Sequence, residues 1–138
     1  KFHSRDGMGI KLLQKNGLEI AFISGSKSNS INQRGNLLEI KYIFTGISDK
    51  LHIITKLQKK LAIHPSQTIF LGDDINDLLV MPAVRLFLSP SDAHLACIKN
   101  ADWIGISKGG EGFFREFTDL FLESLGIDPY KPCAQINI

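Results

Sequence analysis

The chain has 138 residues, 43% of them hydrophobic and 22% charged, which is typical of a globular domain that can bury a core. The net charge of +2 is too small, and the basic residues are too scattered, to favour nucleic acid as a partner. There is no run of 18 apolar residues and no signal peptide, so the sequence indicates neither a membrane span nor secretion. Cys97 and Cys133 lie far apart without metal-ligand spacing, which favours a reduced, cytoplasmic protein.

Apolar patterns divide the chain into strands and helices that alternate. Short apolar runs between turn residues predict strands, and apolar residues spaced by three and four predict helices. The predicted strands cover residues 18–23, 42–44, 69–71, 84–88 and 103–106. The predicted helices cover residues 6–15, 27–38, 50–62, 77–81, 93–100 and 113–125. The alternation predicts an α/β fold, a three-layer doubly wound parallel sheet with helices on both faces.

Some of these predictions depend on single residues. Asp6 is expected to cap the first helix, because a carboxylate accepts hydrogen bonds from free N–H groups there. Leu37 and Leu38 are expected to face inward from the second helix. Pro82 is expected to end the helix that starts at Asp77, because proline has no N–H to donate.

The densest group of charges follows the predicted strand at residues 69–71. Gly72 is expected to free the backbone for a sharp turn, and Asp73, Asp74 and Asp77 come next. Ligands of open α/β sheets bind beyond the carboxyl ends of strands, and close carboxylates suit Mg²⁺, which prefers hard oxygen donors. An acidic N-cap and first helical turn would explain the same residues. The stretch alone leaves both interpretations open.

Two other positions suit an anionic ligand. Ser24 and Gly25 follow a strand, so a hydroxyl and nearby N–H groups can meet an anion there, although an ordinary turn explains them equally well. Lys50 lies in the first turn of a helix, where the macrodipole disfavours a positive charge. Either an anionic ligand or plain solvation of a surface lysine would account for Lys50.

These motifs together resemble a known family. Ser24, Lys50 and the run from Gly72 to Asp77 have the order of motifs two, three and four of the haloacid dehalogenase superfamily of phosphohydrolases. The segment Phe2-His3-Ser4-Arg5-Asp6-Gly7-Met8-Gly9-Ile10 is similar to the "F-H-x-R-D-G-x-G-I" signature of the capless 3-deoxy-D-manno-octulosonate 8-phosphate phosphatases. The further matches, in sequence and order, are Ile23-Ser24-Gly25, Ser48-Asp49-Lys50, Gly72-Asp73-Asp74-Ile75-Asn76-Asp77-Leu78, Ser91-Asp92-Ala93 and Gly109-Gly110-Glu111-Gly112-Phe113-Phe114-Arg115-Glu116.

The resemblance implies a Mg²⁺-dependent phosphatase without a cap domain. Asp73 would be the direct metal ligand, with Asp74 and Asp77 holding metal-bound water or neighbouring side chains. Ser24, with Gly25, would hydrogen-bond the phosphoryl oxygens. Lys50 would neutralise their charge and hold the carboxylate of the nucleophile. Phosphoryl transfer needs mainly such positioning and electrostatic stabilisation.

The resemblance also implies a substrate and an assembly. The substrate would be a 3-deoxy sugar-acid phosphate of lipopolysaccharide precursor synthesis. Arg5 and Asp6 would lie at the mouth of the site that binds it. The protein would be a cytoplasmic homotetramer in which the segment carrying Arg115 reaches toward a neighbouring active site.

The sequence departs from the family pattern at two points. The first motif, D-x-D, carries the nucleophile, and no Asp-x-Asp occurs here. We therefore expect residues 1–126 to form a phosphatase domain whose first strand and nucleophile lie upstream, so that this chain alone is inactive, and residues 127–138 to form a tail. Ser26 stands where the family usually has an Arg that would grip a carboxylate, which leaves room for a related nonulosonate phosphate.

Two other functions stay open at this point. One is a non-catalytic assembly domain, as found fused behind sialic-acid cytidylyltransferases. The other is a doubly wound binding domain of the receiver type, which also places acids and a lysine at strand ends. The intact Ser24, Lys50 and Asp73 argue against the first, and the late position of the acids, after the third predicted strand, argues against the second.

Overall fold

The computed structural model describes residues 4–128, which fold into two compact units. The first unit contains residues 4–47 and 110–128, and the second is Ser48–Gly109. The organisation of residues 1–126 as one domain stays a prediction. Phe2 and His3 of the signature, Cys133 and the chain beyond Asp128 lie outside the described residues.

Helices and strands alternate through both units. The strands are β1 (Ala21–Ile23), β2 (Tyr42–Phe44), β3 (Ile69–Leu71), β4 (Leu86–Ser89) and β5 (Trp103–Ile104). The α-helices are α1 (Ser4–Lys15), α2 (Asn29–Leu37), α3 (Lys50–Leu61), α4 (Leu95–Asn100) and α5 (Phe113–Ser124). Two 3₁₀ helices cover Pro65–Gln67 and Ile75–Ala83. No helix within residues 4–128 has both the length and the apolar character that crossing a bilayer requires.

The first unit packs its helices on a two-stranded parallel sheet. Strands β1 and β2 pair in the register of Ala21 with Tyr42. The core contains Ile10 from α1 together with Leu38 and Ile40, all at most 7% exposed. Helices α1 and α5 approach closely at Gly9, where an added Cβ would lie 2.9 Å from the Thr118 hydroxyl. Glycine is thus needed at this position for helix packing.

The second unit contains a three-stranded parallel sheet in the order β3-β4-β5. Phe87 at the centre of β4 is completely buried and stacks on Phe70 of β3, with ring centroids 5.7 Å apart. Burying a phenylalanine fully stabilises a fold by roughly 1.5–3 kcal/mol. The chain passes from β3 to β4 through the 3₁₀ helix Ile75–Ala83, and from β4 to the next strand, β5, through α4. Both units confirm the predicted α/β class with parallel strands, and residues 4–128 contain no cap domain.

Element boundaries differ from the predictions by a few residues. Strand β1 begins at Ala21 rather than at residue 18, because the N–H groups of Asn16, Gly17 and Leu18 bond back to carbonyls of α1 and close its end. The 3₁₀ helix begins at Ile75, two residues before Asp77, because Asp74 caps it. It continues past Pro82, so the prediction that Pro82 ends this helix was wrong.

Two side-chain predictions were also wrong. Leu37, the last residue of α2, is 73% exposed, whereas Leu38, the C-cap residue, is 7% exposed and packs in the core with Ile10 and Ile40. Asp6 lies inside α1, which begins at Ser4, and it does not cap this helix. Its carboxylate is buried and accepts the N–H of Arg115 from α5 instead.

The contact between α1 and α5 generates a stability prediction. We expect Gly9→Ala to lower the free energy of unfolding by about 1–3 kcal/mol, because the new methyl group meets Thr118, the Phe114 ring and the Arg115 Cα. Urea denaturation measures this change. Gly7→Ala in the same helix is the matched control, because its Cβ meets only flexible side-chain ends of Arg34 and Leu38. Equal stability of the two variants would contradict the proposed close packing.

Candidate active site

The acid loop, residues 72–77, follows β3 in the second unit. The φ angle of Gly72 lies outside the left-handed region, so the expected reason for this glycine was wrong. A Cβ on Gly72 would lie 2.8 Å from the Asp77 Cβ and 2.8 Å from the Phe87 ring. Residue 72 is therefore glycine because Asp77 and the core approach its backbone closely.

The carboxylate of Asp77 holds the acid loop together. One oxygen, Oδ2, accepts the N–H groups of Asp73 at 3.0 Å and Asp74 at 3.1 Å. The other, Oδ1, accepts a hydrogen bond from Lys50 Nζ at 2.5 Å. Asp77 is only 3% exposed, so its charge depends on these three donors for stabilisation.

Asp74 and Asp77 also form the N-terminal cap of the 3₁₀ helix. Asp74 Oδ1 accepts the N–H of Ile75 at 2.7 Å, and the two acids complete a capping box. The cap interpretation of this stretch is therefore confirmed for Asp74 and Asp77. It does not account for the carboxylate of Asp73.

Lys50 lies at the start of α3, where Asp49 caps the helix by accepting the His52 N–H. The Lys50 side chain is 12% exposed, so it is not a solvated surface lysine. Its ion pair with Asp77 supplies a negative partner from within the protein, which explains a lysine at a helix N-terminus.

Asp73 keeps its carboxylate exposed to solvent while its backbone is bonded. Its carbonyl accepts the N–H of His94 at 2.8 Å. Partial loss of hydration raises the pKa of Asp73, the charges of Asp77 and Asp74 raise it further, and Lys50 acts in the opposite direction. Partial burial and the neighbouring carboxylates therefore both disfavour the charged form of Asp73, and a bound cation would offset both effects.

The described acids can supply part of a metal site. Among residues 4–128, no group of three or more His, Cys, Asp or Glu side chains is arranged to hold a metal ion. Mg²⁺ commonly takes only one or two carboxylates and completes its shell with water and substrate phosphate. The Asp73 carboxylate and Asp74 Oδ2, the oxygen that does not accept the Ile75 N–H, are donors of the kind that such a one- or two-carboxylate site uses.

Sequence reasoning missed residues that hold the backbone of the acid loop. Ser89 at the end of β4 donates its hydroxyl to the Gly72 carbonyl at 2.7 Å, and Cys97 donates its thiol to the Asp74 carbonyl at 3.2 Å. Both side chains are fully buried. Burial and the nearby acids raise the pKa of the Cys97 thiol. A hydroxyl after the apolar run of β4 was the available signal for Ser89.

The remaining predicted site residues lie in the first unit. Ser24 follows β1, and its hydroxyl oxygen accepts the N–H of Ser26 at 3.1 Å in a turn beside Gly25, which is exposed. That bond does not use the hydroxyl proton of Ser24. Binding of phosphate by Ser24 and Gly25 stays a prediction.

Asp6 and Arg115 meet between α1 and α5. The buried Asp6 carboxylate accepts the Arg115 N–H at 3.1 Å, and Arg115 Nε donates to Asp119 Oδ1 at 2.8 Å. Arg5 is exposed on α1. Substrate binding by Arg5, Asp6 and Arg115 stays a prediction. The structure thus brings together Asp6 with Arg115 in one unit, and Lys50 with the three acids in the other.

Comparison with known proteins identifies the family. No model of a known protein family matches the chain. The 3-deoxy-D-manno-octulosonate 8-phosphate phosphatase of Escherichia coli strain K12 is 38% identical over 125 residues, which are 91% of this chain and 66% of that protein. The chain thus spans just under two thirds of the length of this curated relative.

Solved structures agree with the sequence match. The cobalt-bound deoxy-D-mannose-octulosonate 8-phosphate phosphatase of Haemophilus influenzae is 31% identical with a TM-score of 0.91, covering 98% of this chain and 80% of that one. The Moraxella catarrhalis phosphatase, in complex with magnesium, phosphate and KDO, is 32% identical with a TM-score of 0.85. The match covers 89% of this chain and 71% of that one. The chain therefore belongs to the 3-deoxy-D-manno-octulosonate 8-phosphate phosphatase family of the haloacid dehalogenase superfamily.

Proposed function

We propose that the protein is a Mg²⁺-dependent phosphatase that hydrolyses a 3-deoxy sugar-acid phosphate such as 3-deoxy-D-manno-octulosonate 8-phosphate. The observation that carries this proposal is the exposed Asp73 carboxylate beside the buried Lys50–Asp77 ion pair. Support comes from the E. coli relative of that name and from the Moraxella structure with magnesium, phosphate and KDO.

Asp73 and Asp74 are the proposed metal ligands. Partial burial and then the charges of Asp77 and Asp74 raise the pKa of Asp73, and a divalent cation would offset both effects. When bound, Mg²⁺ stabilises the charge that develops on the transferring phosphoryl group. The two aspartates provide hard oxygen donors, as this ion requires.

The other residues of the chain bind and orient the phosphate in this proposal. Lys50 presents a positive charge whose position is fixed by Asp77 at 2.5 Å, so little reorganisation accompanies the reaction. Ser24 and Gly25 donate hydrogen bonds to phosphoryl oxygens. The attacking aspartate, from a D-x-D motif that this sequence does not contain, would displace the sugar oxygen from phosphorus, so that the sugar acid leaves with a free hydroxyl. Water would then hydrolyse the aspartyl-phosphate, which releases phosphate and restores the aspartate.

Substrate selection and assembly complete the proposal. Arg5, Asp6 and Arg115 contact the sugar acid, in a pathway that supplies lipopolysaccharide precursors. The protein works in the cytoplasm as a homotetramer. Support for association comes from large apolar side chains that are more than half exposed in the second unit, namely Ile75, Leu79, Leu95 and Ile106.

The first prediction concerns substrate and metal. In the full-length protein, we expect Mg²⁺-dependent release of phosphate from 3-deoxy-D-manno-octulosonate 8-phosphate, and loss of at least about 100-fold in rate with EDTA, because the metal supplies much of the charge stabilisation. Excess Mg²⁺ should restore the rate. A phosphomolybdate assay measures the released phosphate.

Two comparison substrates sharpen this experiment. A nonulosonate 9-phosphate tests whether Ser26 has shifted specificity, and glucose 6-phosphate tests the need for a carboxylate. Rates that are equal for glucose 6-phosphate and the sugar acids would contradict the proposed substrate class. No phosphate release from any of them would favour the non-catalytic assembly function.

The second prediction concerns Asp73. Asp73→Asn should abolish Mg²⁺ binding and lower kcat by at least about 100-fold, because a neutral amide is a poor ligand for this ion. Without metal, the melting temperature should stay equal or rise. A raised pKa means that the folded state disfavours the charged carboxylate, so removing that charge costs the fold nothing at neutral pH.

A matched control is Glu123→Gln, which makes the same chemical change at an exposed position of α5. It should leave Mg²⁺ binding and kcat as in the wild type. Isothermal titration calorimetry and differential scanning calorimetry provide the two readouts. Wild-type Mg²⁺ affinity in Asp73→Asn would contradict the ligand assignment.

The third prediction separates the two roles of Lys50. Lys50→Met leaves the buried Asp77 carboxylate without its cation and should cost about 3–5 kcal/mol of stability. Lys56→Met, at an exposed position of the same helix, should change stability by less than about 0.5 kcal/mol. The double variant Lys50→Met/Asp77→Asn should recover stability but not activity. Recovery of activity together with stability would show that the Lys50 charge is not required.

A further inference from the structure

Three successive peptide groups of the acid loop have both of their polar groups hydrogen-bonded. In the first, Ser89 Oγ donates to the Gly72 carbonyl at 2.7 Å and the Asp73 N–H donates to Asp77. In the second, the His94 N–H donates to the Asp73 carbonyl and the Asp74 N–H donates to Asp77. The loop is therefore held from two sides.

The third peptide group follows the same pattern. The Asp74 carbonyl accepts hydrogen bonds from Cys97 Sγ at 3.2 Å and from the Asp77 N–H at 3.0 Å, and the Ile75 N–H donates to Asp74 Oδ1 at 2.7 Å. Because the peptides before and after Asp73 are both fixed, its φ and ψ angles are fixed, and so is the direction of its Cα–Cβ bond. The exposed carboxylate thus sits on an immobilised backbone.

Two of the carbonyl partners are side chains that can be changed by mutation. Ser89 and Cys97 are both completely buried, whereas His94 contributes only its backbone N–H here. Ser89 holds the peptide before Asp73, and Cys97 holds the peptide after Asp74. We propose that Ser89 and Cys97 are positioning residues that fix Asp73 and Asp74 for binding of a divalent cation, an inference that rests on the proposed metal site.

A purely structural role for Ser89 and Cys97 predicts a different result. Loss of the Ser89 hydroxyl lowers stability, since an unsatisfied buried acceptor costs about 1–3 kcal/mol. Loss of the Cys97 thiol should cost less, because the Asp74 carbonyl keeps its hydrogen bond from the Asp77 N–H. A positioning role additionally lowers cation affinity, because groups that orient metal ligands contribute about 10–100-fold to it. The affinity for the metal alone therefore distinguishes the two roles.

The experiment is titration of the metal-free full-length protein with Mn²⁺, followed by electron paramagnetic resonance, with melting temperatures recorded in EDTA. We expect Ser89→Ala and Cys97→Ala each to raise the Kd for Mn²⁺ by about 10-fold or more. Cys97→Ser keeps a donor at the same place and should bind Mn²⁺ nearly as tightly as the wild type.

Thr118→Val is the matched control, because Thr118 is a completely buried hydroxyl that donates to the Phe114 carbonyl at 2.9 Å in the first unit. It should lower the melting temperature without changing the Kd for Mn²⁺. The inference is overturned if Ser89→Ala and Cys97→Ala melt earlier but keep the wild-type Kd. If Ser89→Ala does not fold, the pair Cys97→Ala and Cys97→Ser decides. Absence of Mn²⁺ binding in the wild type would overturn the proposed metal site and this inference with it.

Discussion

The buried carboxylate of Asp77 is the interaction on which the candidate site depends. It accepts hydrogen bonds from two backbone N–H groups of the acid loop and from Lys50 at the start of α3. A charge that is 3% exposed is tolerated only with such partners, so the folded state needs all of these contacts. The positions of the lysine and of the loop backbone follow from this one requirement.

The three acids of the loop were open to two interpretations from the sequence, helix capping and ligand binding. Asp74 and Asp77 cap the 3₁₀ helix, which is the structural interpretation of the stretch. Asp73 keeps its carboxylate exposed, as a ligand-binding interpretation requires. The two interpretations are compatible because the cap aligns the backbone from which Asp73 projects.

The sequence pattern predicted those features that depend on interactions between residues close together in the chain. Lys50 as the first residue of α3 and the strand Ile69–Leu71 were both predicted from spacing and caps, and both are confirmed. The pattern did not predict contacts of side chains with residues that are distant in the sequence. Asp6 bonds to Arg115, which is 109 residues away, and the partners of Ser89 belong to another strand end. A helix-capping rule has no information about such contacts.

The charges that stabilise the second unit also suit the proposed binding of a cation. Lys50 compensates Asp77, but Asp73 keeps a raised pKa, first because its hydration is reduced and then because Asp77 and Asp74 repel its charge. A carboxylate in this state gains more from a cation than an isolated one, since the ion removes repulsion as well as forming its own bonds. Binding to the folded state alone would then stabilise it by mass action. If Asp73 binds the cation as proposed, the same arrangement links the stability of the acid loop to metal binding.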